Sequence, residues 1–282
     1  MPVEPYTDMV NHAFANQYAV PHFNICNLET IRAVAAVAQE RRSPVIFGIH
    51  PVESDYAGAA NLAGLIRSEI GNRPIRAAIH LDHGPSVDHV VQAIQAGYTS
   101  VMFDGSTIPL KDNVQITSEV VSLAAAAGLS VEAEVGTIGK TAEYGAEIEN
   151  PHLADPQACA QVAATGIDAL AVAIGNAHGV YIAEPKLEFD RLASIREATN
   201  IPLVLHGGSG IPLNQVQQAI TMGIAKFNIG TNVHVAFTRA CRTYLNTNPG
   251  SHDVMGMLND AQAAVRDVVE AGIETAMSGG RY

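Results

Sequence analysis

The sequence predicts an α/β fold, a closed (β/α)8 barrel, from two observations. Eight short apolar or β-branched runs alternate with longer Ala-rich stretches of helical spacing, and the chain is 282 residues long. Such alternation implies parallel strands, because each return must cross through a helix. Parallel strands are covered on both faces and read as continuous apolar runs, as PLVLH and ALAVAIG do here. Eight units at this length match a closed barrel, with an open doubly wound sheet as the runner-up. No Pro/Ser-rich linker or composition shift marks a boundary, so residues 1–282 are expected to form one domain.

The predicted strands are Ala19–Asn24, Pro44–Ile49, Ala77–Asp82, Ser100–Phe103, Ser130–Glu134, Ala169–Ile174, Pro202–His206 and Lys226–Ile229. The helical spacing falls at Leu28–Arg42, Ser54–Ile70, Val87–Ala96, Asn113–Ala127, Pro156–Thr165, Leu187–Ala198 and Asn214–Met222, then at Val233–Asn246 and Asn259–Thr275. Gly97, Gly128, Gly166 and Gly223 stand where left-handed C-caps would end four of these helices. Two connections are longer than the rest, Asp104–Asp112 and Val135–Asp155. The second reads as a lid over a site, with a tolerated surface insertion as the bland alternative.

Composition narrows the class of function. A 48% hydrophobic fraction with 16% charged residues excludes disorder. No apolar run reaches the ~18 residues of a membrane span, and the start MPVEPYTDMV has no secretory pattern. Cys26, Cys159 and Cys241 are far apart and form no zinc knuckle; their odd count suits a reducing cytoplasm. A net charge of −12 argues against nucleic acid as a partner. It leaves room for a small anion held by backbone amides.

Nearly every predicted strand ends in a polar group: Asn24, Asp82 with His83, Asp104, Glu134, His206 and Asn228, with Asn176 and His178 just beyond the sixth strand. In a barrel these ends converge on one face, where catalytic groups sit. His83, His178 and His206 are candidate metal ligands, and three imidazoles suit Zn²⁺ with an open position. A lone histidine is more often structural, and His22, His50, His89, His152, His234 and His252 are read that way. His80, two residues before Asp82, is a candidate to support the site from behind. Asp82 is a candidate general acid/base, or a turn residue before Gly84-Pro85. Asp104 and Glu134 are candidates for a second metal position or for supporting the histidines. The loops Gly207-Gly208-Ser209-Gly210 and Asn228-Ile229-Gly230-Thr231 follow the last two strands, where barrels place phosphate. Lys226 opens the eighth strand and is read as structural.

Together the segments YAVPHFN, HLDHG, SVMFDGS, SVEAEVG, AVAIGNAHG, PLVLHGGSGIP and KFNIGTN, in this order, resemble the class II, zinc-dependent ketose-bisphosphate aldolases. The resemblance covers nearly the whole chain and implies a TIM barrel that cleaves a phosphorylated ketose to dihydroxyacetone phosphate and an aldehyde. It implies His83, His178 and His206 as Zn²⁺ ligands, and Asp104 and Glu134 as a second metal position. Asp82 is implied to exchange the proton of the substrate's C4 hydroxyl. Asn24, Gly179, Gly207, Gly208 and Ser209 are implied to hold the dihydroxyacetone-phosphate half, with Asn228, Ile229, Gly230 and Thr231 closing the phosphate site. A monovalent cation (Na⁺ or K⁺) beside these loops and a homodimer or homotetramer are further family expectations.

The chain departs from the family pattern in its lid. Lys140 replaces a glycine, and Glu143 lies one residue from the usual lid glutamate; Glu143 or Glu147 is the candidate to move the substrate's carbon-bound proton. Gly230 replaces the Asp or Asn of fructose-bisphosphate enzymes, and His50-Pro51 replaces a serine environment for the distal phosphate. The aldehyde half is therefore left open among tagatose, fructose and deoxy-sugar-acid types. A metal-dependent isomerase or epimerase using the same enediolate, and a sugar-phosphate-binding barrel without turnover, are the competing readings.

Overall fold

The computed structural model describes residues 3–140, 152–181 and 184–282. Its strands are β1 (Val20–Asn24), β2 (Val45–Ile49), β3 (Ala77–Gly84), β4 (Ser100–Phe103), β5 (Ser130–Val135), β6 (Gly139–Lys140), β7 (Ala169–Val172), β8 (Ala177–His178), β9 (Leu203–Leu205) and β10 (Ile224–Ile229). Its helices are α1 (Thr7–Ala15), α2 (Leu28–Arg41), α3 (Pro51–Ala57), α4 (Ala59–Ile70), α5 (Val87–Gln95), α6 (Leu110–Ala127), α7 (Pro156–Ala163), α8 (Phe189–Thr199), α9 (Leu213–Thr221), α10 (Thr231–Thr247) and α11 (Val254–Thr275).

Eight strands close a parallel barrel in the order β1-β10-β9-β7-β5-β4-β3-β2, as the sequence predicts. β1, β2, β4 and β7 are buried along their whole length, which explains their unbroken apolar runs. Outward side chains such as Phe23, Phe47, Ile79 and Leu170 pack with the inner faces of the helices. Inward side chains stack in layers two residues apart along each strand. The lowest layers hold Val20, Ile46, Ala78, Met102, Ala169 and Val204, and α1 closes this end with Tyr6, Met9, Val10 and Ala13 in the same cluster. Higher in the barrel stand His22 on β1, His80 on β3, Glu132 on β5 and Lys226 on β10, all buried polar groups. The interior thus changes from apolar to polar toward the C-terminal face.

Three elements differ from the sequence reading. The predicted helix Ser54–Ile70 is two helices. Gly58, at φ 85°, is both the C-cap of α3 and the N-cap of α4, a conformation that only glycine adopts without strain. α1 was not predicted; its apolar side faces a barrel end, which local periodicity does not announce. β6 and β8 form a separate two-stranded parallel sheet, pairing Gly139 with Ala177 and Lys140 with His178. Of the four predicted glycine caps, Gly128 is the left-handed C-cap of α6, at φ 72°; α5, α7 and α9 are capped by Ala96, Ala164 and Met222, and Gly97, Gly166 and Gly223 follow one or two residues later with positive φ of 81°, 94° and 118°.

Candidate active site and metal centre

Asp82 and His83 are neighbours in β3, so in a regular strand they would point to opposite faces. The backbone turns at His83, which sits at φ 51°, and the β3–β4 register shifts between Leu81 and Gly84. Both side chains therefore reach the mouth of the barrel. His206 follows β9, and His178 is brought in by the small sheet. One ring nitrogen from each of His83, His178 and His206 lies within 4.8 Å of the other two, a spacing that could hold a metal ion.

The outer face of two of these rings is braced by carboxylates. His83 Nδ1 shares a hydrogen bond with Asp104 Oδ2 at 2.8 Å, and His206 Nε2 with Glu132 Oε1 at 2.8 Å. The inner nitrogens, His83 Nε2 and His206 Nδ1, face each other at 2.9 Å. Carboxylates on the outer nitrogens fix the tautomer that leaves the inner nitrogens free for a metal. Burial, then the charges of His83 and Lys226, hold the His206 ring below its ordinary pKa. Burial, then His83 and His206, do the same for His178. Neutral imidazole is the ligand form.

Burial alone would lower His83 too. Asp82, Asp104 and Glu134 outweigh it and hold its pKa up at about 10, so the site favours a positive charge at this point. Glu134 Oε2 is buried without a hydrogen-bond partner among the described residues, 3.4 Å from His206 Nδ1. Three converging imidazoles with an orphaned buried carboxylate beside them fit a divalent cation.

Asp82 lies alongside, buried. Oδ2 accepts from Asn24 Nδ2 at 2.8 Å and Oδ1 from Asn228 Nδ2 at 3.1 Å. Burial would raise its pKa, but His22, His83, His206 and Lys226 together hold it well below the ordinary carboxylate value. Lys226 donates to Asn228 Oδ1 at 2.8 Å and pairs with Glu132 at 3.0 Å. It therefore orients the amide that holds Asp82 and neutralises the carboxylate that braces His206.

The two glycine-containing loops are stitched together. Gly208 N donates to Asn228 O, and Asn232 N to Ser209 Oγ. Gly207, at φ 62°, packs so tightly on the Ala177 carbonyl that a Cβ would collide with it. Gly230 caps α10 and Thr231 is its first residue, so a helix N-terminus opens toward these loops. The side chain of Ile229 packs in the outer core, which leaves only its main chain to face the loop. Gly179, at φ 98°, follows His178 directly. Glu143 and Glu147 lie outside the described residues.

Sequence reasoning missed Glu132, Lys226 and His22. Their signal was alternation: Glu132 shares a face with Glu134, Lys226 with Asn228, and His22 with Asn24.

Comparison with known proteins now decides the family. The family model for class-II fructose-bisphosphate aldolase matches residues 4–281. The chain belongs to this family. It is 44% identical to the fructose-bisphosphate aldolase of Geobacillus stearothermophilus over 266 residues, 93% of this chain and 92% of that one. It is 40% identical to the probable fructose-bisphosphate aldolase of Bacillus subtilis over 273 residues, 95% of each chain. Among solved structures, the YdjI aldolase of Escherichia coli superposes with a TM-score of 0.86 at 31% identity, covering 99% of both chains. The enzyme is therefore a class II aldolase, a lyase of the carbon–carbon bond, and its family uses a divalent metal.

Proposed function

We propose that the enzyme cleaves a ketose bisphosphate reversibly to dihydroxyacetone phosphate and an aldehyde, with Zn²⁺ as its metal. One observation carries this reading: a carboxylate fixed by two amide donors stands beside three converging imidazoles. His83, His178 and His206 are the ligands. The geometry favours Asp104 as a brace for His83, because its Oδ2 is on that ring and its Oδ1 accepts from Ser106 N and Oγ. Glu134, with a free oxygen turned toward the centre, supports an alternative metal position shared with His83 and Asp104.

When bound, the metal supplies Lewis-acid polarisation of the substrate's oxygens. The chain's own residues do the rest. Asp82, held as carboxylate, takes the C4 hydroxyl proton as the C3–C4 bond breaks and returns it on condensation. Asn24 and Asn228 keep its two oxygens in place, and Lys226 keeps Asn228 in place. The amides of Gly179, Gly207 and Ser209, with the α10 N-terminus at Gly230 and Thr231, receive the phosphate of the dihydroxyacetone half, while Gly208, its own N–H held by Asn228 O, keeps the two loops together. A monovalent cation (Na⁺ or K⁺) there would offset phosphate charge. Glu143, or Glu147 in its place, carries the substrate's carbon-bound proton. Free Cys26, Cys159 and Cys241 suit a cytoplasmic enzyme, and exposed Leu245, Val254 and Met255 on α10 and α11 suit a homodimer or homotetramer.

The test is release of dihydroxyacetone phosphate, coupled to NADH oxidation. The substrates are fructose bisphosphate, tagatose bisphosphate and singly phosphorylated ketoses, each with and without chelator. Chelator-sensitive release from a bisphosphate supports the reading. Release from a singly phosphorylated ketose alone refutes the bisphosphate, and conversion to an isomer without cleavage refutes the aldol step.

A further inference from the structure

Among the described residues, His22 is a buried polar side chain with no hydrogen-bonding part in this chemistry. His22 points into the barrel from β1, fully buried, and neither ring nitrogen has a hydrogen-bond partner among the described residues. Leaving a buried polar group unpaired is destabilising, so an apolar side chain would be more stable there. The neighbouring strand nevertheless makes a seat for the ring. Gly48 on β2 packs against it, and a Cβ at that position would collide with its Nε2, Cε1 and Cδ2 atoms. His80 closes the other side, edge to face at 5.6 Å between ring centroids.

The seated ring points at the catalytic carboxylate. His22 Nε2 stands 3.8 Å from Asp82 Oδ2, the oxygen that accepts from Asn24. Burial and the nearby Lys226 charge hold His22 neutral, so the ring carries one N–H to offer. The gap is wider than a hydrogen bond, and about 1 Å of carboxylate travel closes it.

We propose that His22 is a positioning residue for the carbon–carbon step: its Nε2–H receives Asp82 Oδ2 as the carboxylate shifts to exchange the substrate proton, and limits that shift to the productive orientation. The proposal rests on the reading of Asp82 as the group that serves the C4 hydroxyl. Donor atoms of His22, His80 and Asp82 also lie within 4.8 Å of one another, a spacing open to a cation. The ammonium of Lys226 beside both rings opposes one there.

The experiment compares His22→Phe and His22→Leu, which remove the donor, with His22→Gln, which returns one. Four quantities are read on metal-loaded protein: kcat for cleavage, KM, metal per chain, and solvent-deuterium exchange at the hydroxymethyl carbon of dihydroxyacetone phosphate, the carbon that becomes C3 of the ketose. That exchange forms the enediolate without the C4 hydroxyl and so does not call on Asp82. The expected result is a kcat lower by about 10- to 100-fold in both donor-free variants, with KM, metal content and C3 exchange unchanged, and substantial recovery in His22→Gln. Wild-type kcat in either donor-free variant would overturn the proposal. So would cleavage and exchange falling together, or loss of a metal equivalent. Wild-type protein inactive in both cleavage and exchange would instead sink the aldolase reading itself.

Discussion

Glu53, on the first turn of α3, shows how the site's charge reaches beyond its ligands. Its side chain is 11% exposed, His234 Nε2 lies 3.7 Å away, and its Oε2 has no hydrogen-bond partner among the described residues. Burial, with a further push from Asp82, raises its pKa to about 7. The unfolded carboxyl titrates near its ordinary value, so between that value and about 7 the native state binds more protons than the unfolded state. Stability from this group is present at low pH and is lost as pH rises through about 7. Glu53→Gln removes the ionisation and should gain on the order of 1–3 kcal/mol over wild type above pH 8 and little at pH 5. Urea denaturation of both proteins at the two pH values measures this; a gap that does not widen with pH would refute it. No sequence signal marked Glu53, because its shift depends on groups brought in from β3 and α10. His83, Asp82 and His206 were legible in the sequence because they end strands. Glu132 and Lys226 were not, because a charged residue inside a strand makes sense only once its partner across the barrel is known.

At the scale of elements, repeated βα units were legible because they are local: apolar runs, Ala-rich periodicity and glycine caps each lie within one segment. Asn27 and Thr30 form a capping box at the start of α2, a further local device. What was not legible depends on long-range fit. The break at Gly58 turns the chain after α3, so that α3 stays at the barrel mouth with His50 and Glu53 while α4 runs down the outside. Apolar spacing continues across it, so periodicity alone reads one helix. An alanine at 58 must hold φ near 85°, and its Cβ would stand 2.8 Å from Asn61 Nδ2. Gly58→Ala should therefore cost about 1–3 kcal/mol of stability, read by urea denaturation, with helical circular dichroism retained. An unchanged midpoint would mean that α3 and α4 merge into one straight helix, as the sequence periodicity suggests.

For the whole molecule, a cation at the proposed metal centre would act as a tie between distant segments. His83, His178 and His206 arrive from β3, β8 and the loop after β9, and carboxylates from β3, β5 and the loop after β4 crowd the same space. Without a cation, Asp82, Asp104 and Glu134 repel one another, and Glu134 responds with a pKa pushed up by burial and then by Asp104. A cation that binds only the folded state stabilises it by about 4 kcal/mol when its concentration is a thousandfold above Kd. For a chain of this size each kcal/mol moves Tm by roughly 2–4 °C, so chelation should lower Tm by about 10 °C. His206→Ala removes a ligand and should start from the lowered Tm, contain no bound metal and show no further response to chelator. Calorimetry with metal analysis on both proteins separates the possibilities. A chelator shift of equal size in His206→Ala would place the stabilising cation elsewhere. No shift in metal-loaded wild type would mean that the eight-stranded barrel closes equally well without its cation, leaving the three imidazoles to serve catalysis alone.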